Sequence, residues 1–270
     1  MKVWVLGSGS RGNAIVVDNG STRVLIDAGF SARELNRRFA AADIAPESVE
    51  ALIVTHEHGD HSCGALRSAR RWKWSVHATR GTVMAMPELE HADVRAFEAG
   101  DTLTFSSMTV LTVPTSHDAN DPVAVVATDT ASGARAAVVT DLGRESMHLR
   151  SVLREVDVLV LESNHDDVML ARGPYPISVQ RRIASGTGHL SNREASALAR
   201  ACVHSGLQHL VLAHISQNCN TADHALAAAS AALARSRFRG RVTAAEQDTV
   251  HGAFVTASQR SRAVQLGLGL

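Results

Sequence analysis

Four potential metal ligands lie within six residues of one loop: His56, His58, Asp60 and His61. The loop follows the apolar run 51–54, which has the character of a buried strand. A loop of this kind can turn the first two histidines toward one ion and the Asp-His pair toward a second. Gly59 gives the backbone freedom for the sharp turn between the two pairs. Imidazole and carboxylate together suit zinc, manganese or iron, so the spacing predicts a divalent-metal site rather than a chance surface cluster.

Two ions need more ligands than this loop can supply, and three single residues follow other apolar runs. They are His117, Asp141 and His214. Any one of them alone would more often be a cap, a turn residue or a residue at the edge of the core. All three occupy the same kind of position, and they extend the order of the motif to His-x-His-x-Asp-His, His, Asp, His. This shared placement favours a role as metal ligands.

Short apolar runs, turns and a few helices must bring these side chains together. The runs predicted as strands are 3–6, 14–17, 24–26, 51–54, 103–105, 108–113, 123–127, 136–139, 156–161 and 210–212. Helices are predicted over 31–39 with Ser31 as N-cap, over 191–203 with Ser191 and Glu194 as a capping box, and over 222–233. The order of elements predicts an α/β fold in which two sheets pack together with helices outside. No boundary divides the chain, so we expect a single domain over 1–270.

The composition excludes few classes of function, but it indicates the cellular compartment. Lys+Arg and Asp+Glu both number 27, and this balance neither indicates nor excludes a nucleic-acid partner. The three cysteines lack CxxC spacing, which argues against a disulfide framework and a cysteine zinc site, and a reducing cytoplasm is the simplest setting. The apolar start of the chain is too short for a signal peptide, and no run reaches the roughly 18–20 residues of a membrane helix. We therefore expect no membrane partner.

The ordered ligand set, with a hairpin at 18–20 and Asp27-Ala28-Gly29, resembles the metallo-β-lactamase superfamily over nearly the whole chain. The resemblance implies an αββα sandwich with two divalent metal ions at one edge, zinc or manganese with iron as a further option. It implies that His56, His58 and His117 hold one ion. It also implies that Asp60, His61 and His214 hold the other, with Asp141 bridging them.

The chemistry of such a pair would be hydrolysis. Two cations that share a water lower its pKa toward neutrality, and they neutralise charge on a phosphodiester or a developing oxyanion. Asp60 could accept a hydrogen bond from that water and orient it, which would make Asp60 a catalytic residue. A true β-lactamase is disfavoured because such enzymes are typically exported.

Four further segments are similar to the WalJ/YycJ-type subfamily and, more distantly, to ribonuclease Z. They are the Gly/Ser loop 7–13 and the segments 161–166, 188–195 and 212–220. The subfamily implies a 5′-to-3′ exonuclease acting on double-stranded DNA. A long basic arm of the kind that could grip tRNA is not visible in the sequence. Substrate contacts are expected from Ser8, Ser10, Asn13, Asn164, His165 and Ser191. His165 has three alternatives: binding phosphate, contacting the metal shell, or lying on a polar turn.

Glu162 and His189 occupy the places of a proton-donor pair in ribonuclease Z. A leaving alkoxide must be protonated, and a histidine paired with a carboxylate suits that role. The resemblance therefore implies that both residues are catalytic. The alternative is that His189 caps its helix or contacts backbone.

Three basic segments could bind a nucleic-acid backbone. Arg67, Arg70, Arg71 and Lys73 flank Trp72 and Trp74. Basic groups beside exposed aromatic rings bind backbone and stack bases, but a solvated face with both tryptophans in the core is an equal alternative. Arg181 and Arg182 precede the His189 segment. For the arginines within 235–241, a solvated face is the favoured interpretation.

The sequence thus predicts a dinuclear-metal phosphodiesterase that acts on nucleic acid, with DNA favoured over RNA. The alternative is a small-molecule hydrolase on the same fold, such as a cyclic phosphodiesterase, a lactonase or a thioesterase. A binding module without activity is disfavoured because all seven ligand positions are filled. The oligomeric state stays open.

Overall fold

The computed structural model describes residues 1–256, which form two seven-stranded sheets with helices on their outer faces. The strands are β1 (Lys2–Gly7), β2 (Ala14–Asp18), β3 (Arg23–Ile26), β4 (Ala51–Ile53), β5 (Ser75–Thr79), β6 (Val94–Phe97), β7 (Thr102–Phe105), β8 (Met108–Pro114), β9 (Val123–Asp129), β10 (Arg135–Val139), β11 (Val158–Glu162), β12 (His209–Ala213), β13 (Arg241–Ala244) and β14 (His251–Val255). The helices are α1 (Ala32–Ala41), α2 (Gly59–Ser62), α3 (Ala65–Trp72), α4 (Arg80–Ala85), α5 (Met147–Leu153), α6 (Asp167–Arg172), α7 (Ile177–Ile183), α8 (Asn192–Cys202) and α9 (Ala222–Leu233). Short 3₁₀ turns lie at Pro46–Ser48 and Pro87–His91.

The two sheets share one design, a parallel half joined to an antiparallel half. The first has the order β14-β1-β2-β3-β4-β5-β6, and its strands from β3 to β6 are parallel. The second has the order β13-β12-β11-β10-β9-β8-β7, and its strands from β10 to β13 are parallel. Because β8 and β10 both run antiparallel to β9, they point the same way. The carboxyl ends of β8, β10, β11 and β12 therefore lie at one edge of the second sheet.

Side-chain alternation along the central strands separates the layers. Val138 and Val160 are packed in a core between the two sheets, whereas Val139 and Leu161 lie in a second core beneath the helices of the second sheet. A third core lies under α1 and α3 on the first sheet. Such residues are apolar on both faces because each sheet is covered on both sides. The predicted αββα sandwich is confirmed.

The aromatic residues after the metal loop belong to the core. Trp72 and Trp74 are 6% and 1% exposed, their rings stack with centroids 4.8 Å apart, and both contact Phe39 of α1. Of the two alternatives for this segment, base stacking by the tryptophans is therefore wrong. The four basic side chains around them are exposed: Arg67, Arg70, Arg71 and Lys73. The arginines at 235, 237, 239 and 241 are exposed as well, as expected for a solvated face.

Several elements were not predicted from the sequence. The strands β5, β6, β13 and β14 extend the sheets beyond the predicted strands, and the helices α3, α6 and α7 are additional. The predicted helix starts fit better, since Ser31 caps α1 and Ser191 forms the capping box of α8 with Glu194. None of the helices within residues 1–256 combines the length and the apolar character needed to cross a bilayer.

A buried arginine ties α1 to the end of β1 and to the loop that follows β13. Arg38 is 2% exposed, donates hydrogen bonds to the carbonyls of Leu6 (2.7 Å) and Gln247 (2.9 Å), and packs over the ring of Phe30. Its charge is balanced by Glu34 one turn earlier, whose Oε1 lies 2.7 Å from Arg38 Nε. A buried charge needs such a partner to avoid a large desolvation cost. This arrangement fixes the loop 7–13 against the end of the second sheet.

Glu34 gives the stability of the protein a pH dependence in the acid range. The hydrogen bond from Arg37, opposed by burial and reinforced by Arg38, lowers the pKa of Glu34 from its usual 4.5 to about 2. The stabilisation from this carboxylate is therefore complete above about pH 4.5 and is lost as the pH falls toward 2. We expect Glu34→Gln to lower the free energy of unfolding by about 1 kcal/mol at pH 7, and the gap to the wild type to narrow below pH 4.5.

Urea denaturation of both proteins across this pH range measures the effect. Glu47→Gln is the control, because Glu47 is exposed and close to the same helix. A gap that is equally large at pH 7 and pH 3 would contradict the prediction.

Candidate metal centre

Three residues of the centre end their strands in a left-handed backbone conformation. They are Asp27 after β3, Asp141 after β10 and His214 after β12, with φ values of 62°, 56° and 50°. This region is uncommon for residues other than glycine, although Asp and His adopt it more readily than most. Non-glycine residues in such conformations cluster at functional sites, where the surrounding structure holds them. The three side chains meet at the edge of the sandwich where the carboxyl ends of the strands converge.

Three histidines form the first group of potential ligands. The rings of His56, His58 and His117 lie with centroids 4.7 to 5.1 Å apart, and His117 Nε2 is 3.2 Å from His58 Nδ1. The other ring nitrogens are held by the protein: His56 Nδ1 lies 3.0 Å from Thr55 Oγ1, and His117 Nδ1 lies 3.0 Å from the carbonyl of Gly188. These contacts leave His56 Nε2 and His117 Nε2 available to a shared centre.

Asp60, His61 and His214 form the second group. His214 Nε2 and His61 Nε2 lie 3.3 and 3.6 Å from Asp60 Oδ2. Asp141 stands between the groups, with Oδ2 2.9 Å from His61 Nε2 and Oδ1 3.6 Å from His117 Nε2. The structure therefore brings all seven predicted ligands together, and Asp141 is the residue that contacts both groups.

The donor set fits a divalent cation. His56 Nε2 is buried and has no hydrogen-bond partner within the described residues, a costly arrangement unless a ligand satisfies it. His117 Nε2 and His58 Nδ1 face each other at 3.2 Å, which suits two nitrogen atoms that share an ion. Neutral imidazole and carboxylate are the ligand types of zinc, manganese and iron sites. These residues could hold two metal ions.

The electrostatics of the centre favour positive charge. Burial would lower the pKa of His214, but the charge of Asp141 and hydrogen bonds to Asp60 and Glu162 raise it to about 10. Burial likewise opposes the charged form of Asp141, but the neighbouring His214 and His61 lower its pKa well below the usual range. The carboxylates thus stabilise cationic partners at the buried end of the site.

Asp27 supports the centre from behind, a role that the sequence analysis did not assign. Its carboxylate accepts hydrogen bonds from the Thr55 amide (2.8 Å) and hydroxyl (2.9 Å), and it lies 2.7 Å from His61 Nδ1. Both Asp27 and His61 have no exposed surface. A carboxylate on the far ring nitrogen fixes the tautomer and orientation of a ligating histidine. A carboxylate immediately after β3 was the available signal.

Replacing Asp27 by asparagine tests this support. We expect Asp27→Asn to lower the affinity for metal about 10- to 100-fold, because the amide keeps the volume but removes the charge that orients His61. Competition against a chelator measures the affinity, and circular dichroism of the metal-free protein checks the fold. Asp129→Asn is the control, since Asp129 is also buried but hydrogen bonds to Asn19 and Ser132. Equal affinities in the two variants would contradict a role for Asp27 at the centre.

Glu162 and His189 lie beside the metal ligands. Glu162 is fully buried; its Oε2 accepts hydrogen bonds from the amides of Leu142 (3.1 Å) and Leu190 (2.9 Å), and its Oε1 lies 2.8 Å from His189 Nδ1. Burial opposes the charge, but His189 outweighs it and lowers the pKa of Glu162 to about 2. The contact engages Nδ1 of His189, which leaves Nε2 as the ring nitrogen available to the cavity that His189 lines.

Two of the expected substrate contacts build the centre instead. Ser8 and Asn13 have no exposed surface. Ser8 Oγ donates to Asn13 Oδ1 (2.8 Å) and accepts from the amide of His214 (2.9 Å). Asn13 Nδ2 donates to the carbonyl of Asp60 (3.2 Å). The polar groups of the loop 7–13 are therefore used inside the protein, where they position the backbone of two potential ligands.

Ser191 and His165 are also buried, and neither lines the cavity above the potential metal ligands. The hydroxyl of Ser191 is taken by the capping box with Glu194. His165 is 1% exposed, forms a backbone bridge with Ser191, and has no hydrogen-bond partner for its Nδ1 within the described residues. Ser10 and Asn164, by contrast, line the cavity at the centre.

That cavity has a volume of ≈ 270 Å³ and opens directly above the potential metal ligands. Its lining includes Asp60, Asp141 and His214, together with residues of the segment that includes α7. The arginine pair of that segment is visible in the sequence, but the helix was not predicted.

Comparison with known proteins agrees with this architecture. Residues 22–215 match the family model described as a beta-lactamase superfamily domain. The chain is 34% identical over 238 residues to exodeoxyribonuclease YycJ of Bacillus anthracis, covering 87% of this chain and 89% of that protein. Among solved structures, the metallo-beta-lactamase fold protein YhfI of Bacillus subtilis aligns with a TM-score of 0.70 at 19% identity, over 93% of this chain and 98% of that one. The short form of human tRNase Z aligns with a TM-score of 0.64 at 16% identity, over 94% and 100%.

Proposed function

The chain belongs to the beta-lactamase superfamily and has the metallo-β-lactamase fold, and from this premise we propose that it is a dinuclear-metal exonuclease acting on double-stranded DNA. It would hydrolyse phosphodiester bonds at the ends of duplexes in the 5′-to-3′ direction. The substrate class follows from the similarity to an exodeoxyribonuclease that extends over nearly the whole length of both proteins.

One observation carries the catalytic part of the proposal: seven nitrogen- and oxygen-bearing side chains converge at one strand-end edge, with Asp141 between two groups of three. We assign His56, His58 and His117 to one ion, and Asp60, His61 and His214 to the other, with Asp141 shared. Zinc or manganese suits this donor set, and iron is a further option. When bound, such a pair supplies an activated water and neutralises charge on the phosphodiester.

The chain's own residues would then orient the attacking water and protonate the leaving oxygen. Asp60 is the ligand carboxylate nearest the cavity, with 23% of its side chain exposed, and it can accept a hydrogen bond from a water placed there. His189 can hold a proton at Nε2 for the leaving oxygen, because Glu162 engages its Nδ1 and stabilises the protonated ring. Ser10 is exposed, lines the same cavity and can donate a hydrogen bond to a substrate oxygen. Asn164 also lines the cavity, but its Nδ2 donates to the carbonyl of His214 (3.1 Å), so it would position that proposed ligand.

We propose the cytoplasm as the setting, because DNA is the proposed partner and the three cysteines, which form no disulfide, suit a reducing compartment. Arg67, Arg70, Arg71 and Lys73 form an exposed basic group that begins just after the metal loop and can contact the DNA backbone.

End-labelled duplex DNA and bis-p-nitrophenyl phosphate, each incubated with the protein and Mn²⁺, test the proposal together. We expect stepwise shortening of the duplex from the 5′ end, which a chelator abolishes and added salt weakens. Intact DNA alongside rapid turnover of the small diester would contradict the nuclease assignment and favour a small-molecule phosphodiesterase on the same centre. No hydrolysis of either substrate with the metal loaded would contradict the hydrolase assignment.

A further inference from the structure

Part of the cavity lining comes from one face of α7. Val179, Arg182 and Ile183 line the cavity, and their spacing of three and four residues puts them on one side of the helix. Tyr175, which precedes the N-cap Pro176, also lines the cavity. An apolar strip of Tyr175, Val179 and Ile183, with the cation of Arg182, therefore shares the cavity with the potential metal ligands.

Core packing does not account for this strip. No residue of α7 is buried, and Val179 and Ile183 are only half-buried. Tyr175 is held by a residue that does not line the cavity, since its hydroxyl accepts a hydrogen bond from Asn218 Nδ2 at 2.9 Å. Half-buried apolar side chains in the lining of a cavity beside a polar centre are suited to the apolar faces of a ligand.

Arg182 supplies positive charge on the same wall. Its guanidinium is 73% exposed and lies 3.7 Å from Asp118 Oδ2, too far for a strong hydrogen bond. Arg182 is the one arginine or lysine among the described residues that line the cavity, so it is the side chain available to contact an anion bound there. A planar guanidinium beside an apolar surface matches a phosphate next to a base.

The size of the cavity decides what can enter. Its volume of ≈ 270 Å³ is at the lower end for small-molecule sites. The major groove of a DNA duplex alone is roughly 12 Å wide. A cavity of this volume suits one nucleotide rather than a base pair.

We propose that this cavity is a subsite for a single unpaired nucleotide, in which Tyr175, Val179 and Ile183 contact the base or sugar and Arg182 contacts a phosphate oxygen. The inference rests on the proposed function and deepens it. The terminal nucleotide of a duplex must separate from its partner before its phosphodiester reaches the metal ligands. Unpairing has a cost that is smallest for a mismatched base.

The first test compares two blunt duplexes that differ only in the terminal pair, a G·C pair or a C·C mismatch. We expect the labelled terminal nucleotide of the mismatched end to be released about tenfold faster by the wild-type protein. Equal rates of release from the two ends overturn this inference but leave the exonuclease assignment intact. Release from neither end counts against the proposed function itself.

The second test changes the wall and uses a binding readout. Val179→Trp fills the cavity, so we expect the inhibition constant of deoxyguanosine 5′-monophosphate and the KM for DNA each to rise about tenfold. Arg182→Gln should raise the KM for DNA more than it lowers kcat. The matched controls are Ile177→Trp, at an exposed position of α7 that lines a different depression, and Arg172→Gln, at the exposed end of α6.

Both controls should behave as the wild type in nucleotide inhibition and in KM. Because none of the four residues is buried, all four variants are expected to fold, and thermal unfolding verifies this. If Val179→Trp and Arg182→Gln match their controls, α7 does not contact the nucleotide and the inference is overturned.

Discussion

Asp60→Ala is expected to lower the rate of DNA degradation by about 10³-fold. Asp60 combines two tasks, because its Oδ2 lies 3.3 Å from His214 Nε2 within the second ligand group and its carboxylate also lines the cavity. Alanine removes a ligand charge and the acceptor that orients a water. A 10³-fold loss of rate corresponds to losing about 4 kcal/mol of transition-state stabilisation.

A control for Asp60 exists within the same loop. Glu57 is one residue after His56, but its carboxylate turns away and accepts hydrogen bonds from the amide of Asn120 (2.9 Å) and from Asn120 Nδ2 (2.6 Å). Glu57→Ala should therefore retain activity within a few-fold. Initial rates on end-labelled duplex, with metal content measured in parallel, separate the two variants. Wild-type rates in Asp60→Ala would sink the assignment of this residue to the catalytic centre.

The convergence of the proposed ligands was predictable because its signals are local and directional. Each segment that carries a proposed ligand follows an apolar strand, and parallel strands bring their carboxyl ends to one edge of a sheet. His56, Asp141 and His214 could therefore be grouped from the sequence without knowledge of the strand order. Capping chemistry was equally local, since the side chains of Ser191 and Glu194 satisfy backbone amides within their own turn.

The substrate contacts were less predictable because a polar side chain looks the same in the sequence whether it contacts substrate or hydrogen bonds within the protein. Ser8 and Asn13 lie in a Gly-rich loop, as anion-binding residues do, but their hydrogen bonds go to neighbouring backbone and side chains. Asp27 was overlooked for the same reason, since an Asp after a strand can orient a ligand or be one. Only tertiary distances decide between such roles.

The wall of the cavity was hidden for a different reason. The helix α7 has seven residues and buries none of them, so it lacks the apolar periodicity that predicts a helix packed on a core. Its apolar residues Val179 and Ile183 line the cavity instead of packing in the core. The tryptophans show the converse, since Trp72 and Trp74 lie among basic residues in sequence but fill the space between α1, α3 and the first sheet.

His189→Ala is expected to lower kcat for DNA by roughly 10²- to 10⁴-fold while the bound metal stays at the wild-type level. His189 contacts Glu162 Oε1 at 2.8 Å, and its ring stacks on that of His214 with centroids 5.3 Å apart. It is absent from both groups of three proposed ligands, so its loss should remove a proton donor without emptying the centre. His148→Ala, on the exposed side of α5, is the control histidine and should leave kcat unchanged.

Two substrates with different leaving groups distinguish proton donation by His189 from a purely structural role of this residue. A deoxyribose alkoxide is strongly basic and must be protonated as it departs, whereas p-nitrophenolate is a weak base that leaves without help. His189→Ala should therefore lose far more activity on DNA than on bis-p-nitrophenyl phosphate. Glu162→Gln should show the same pattern to a smaller degree, because glutamine still accepts a hydrogen bond but no longer stabilises the protonated ring. Equal losses on both substrates would assign His189 a structural role, since a distorted centre slows every diester alike.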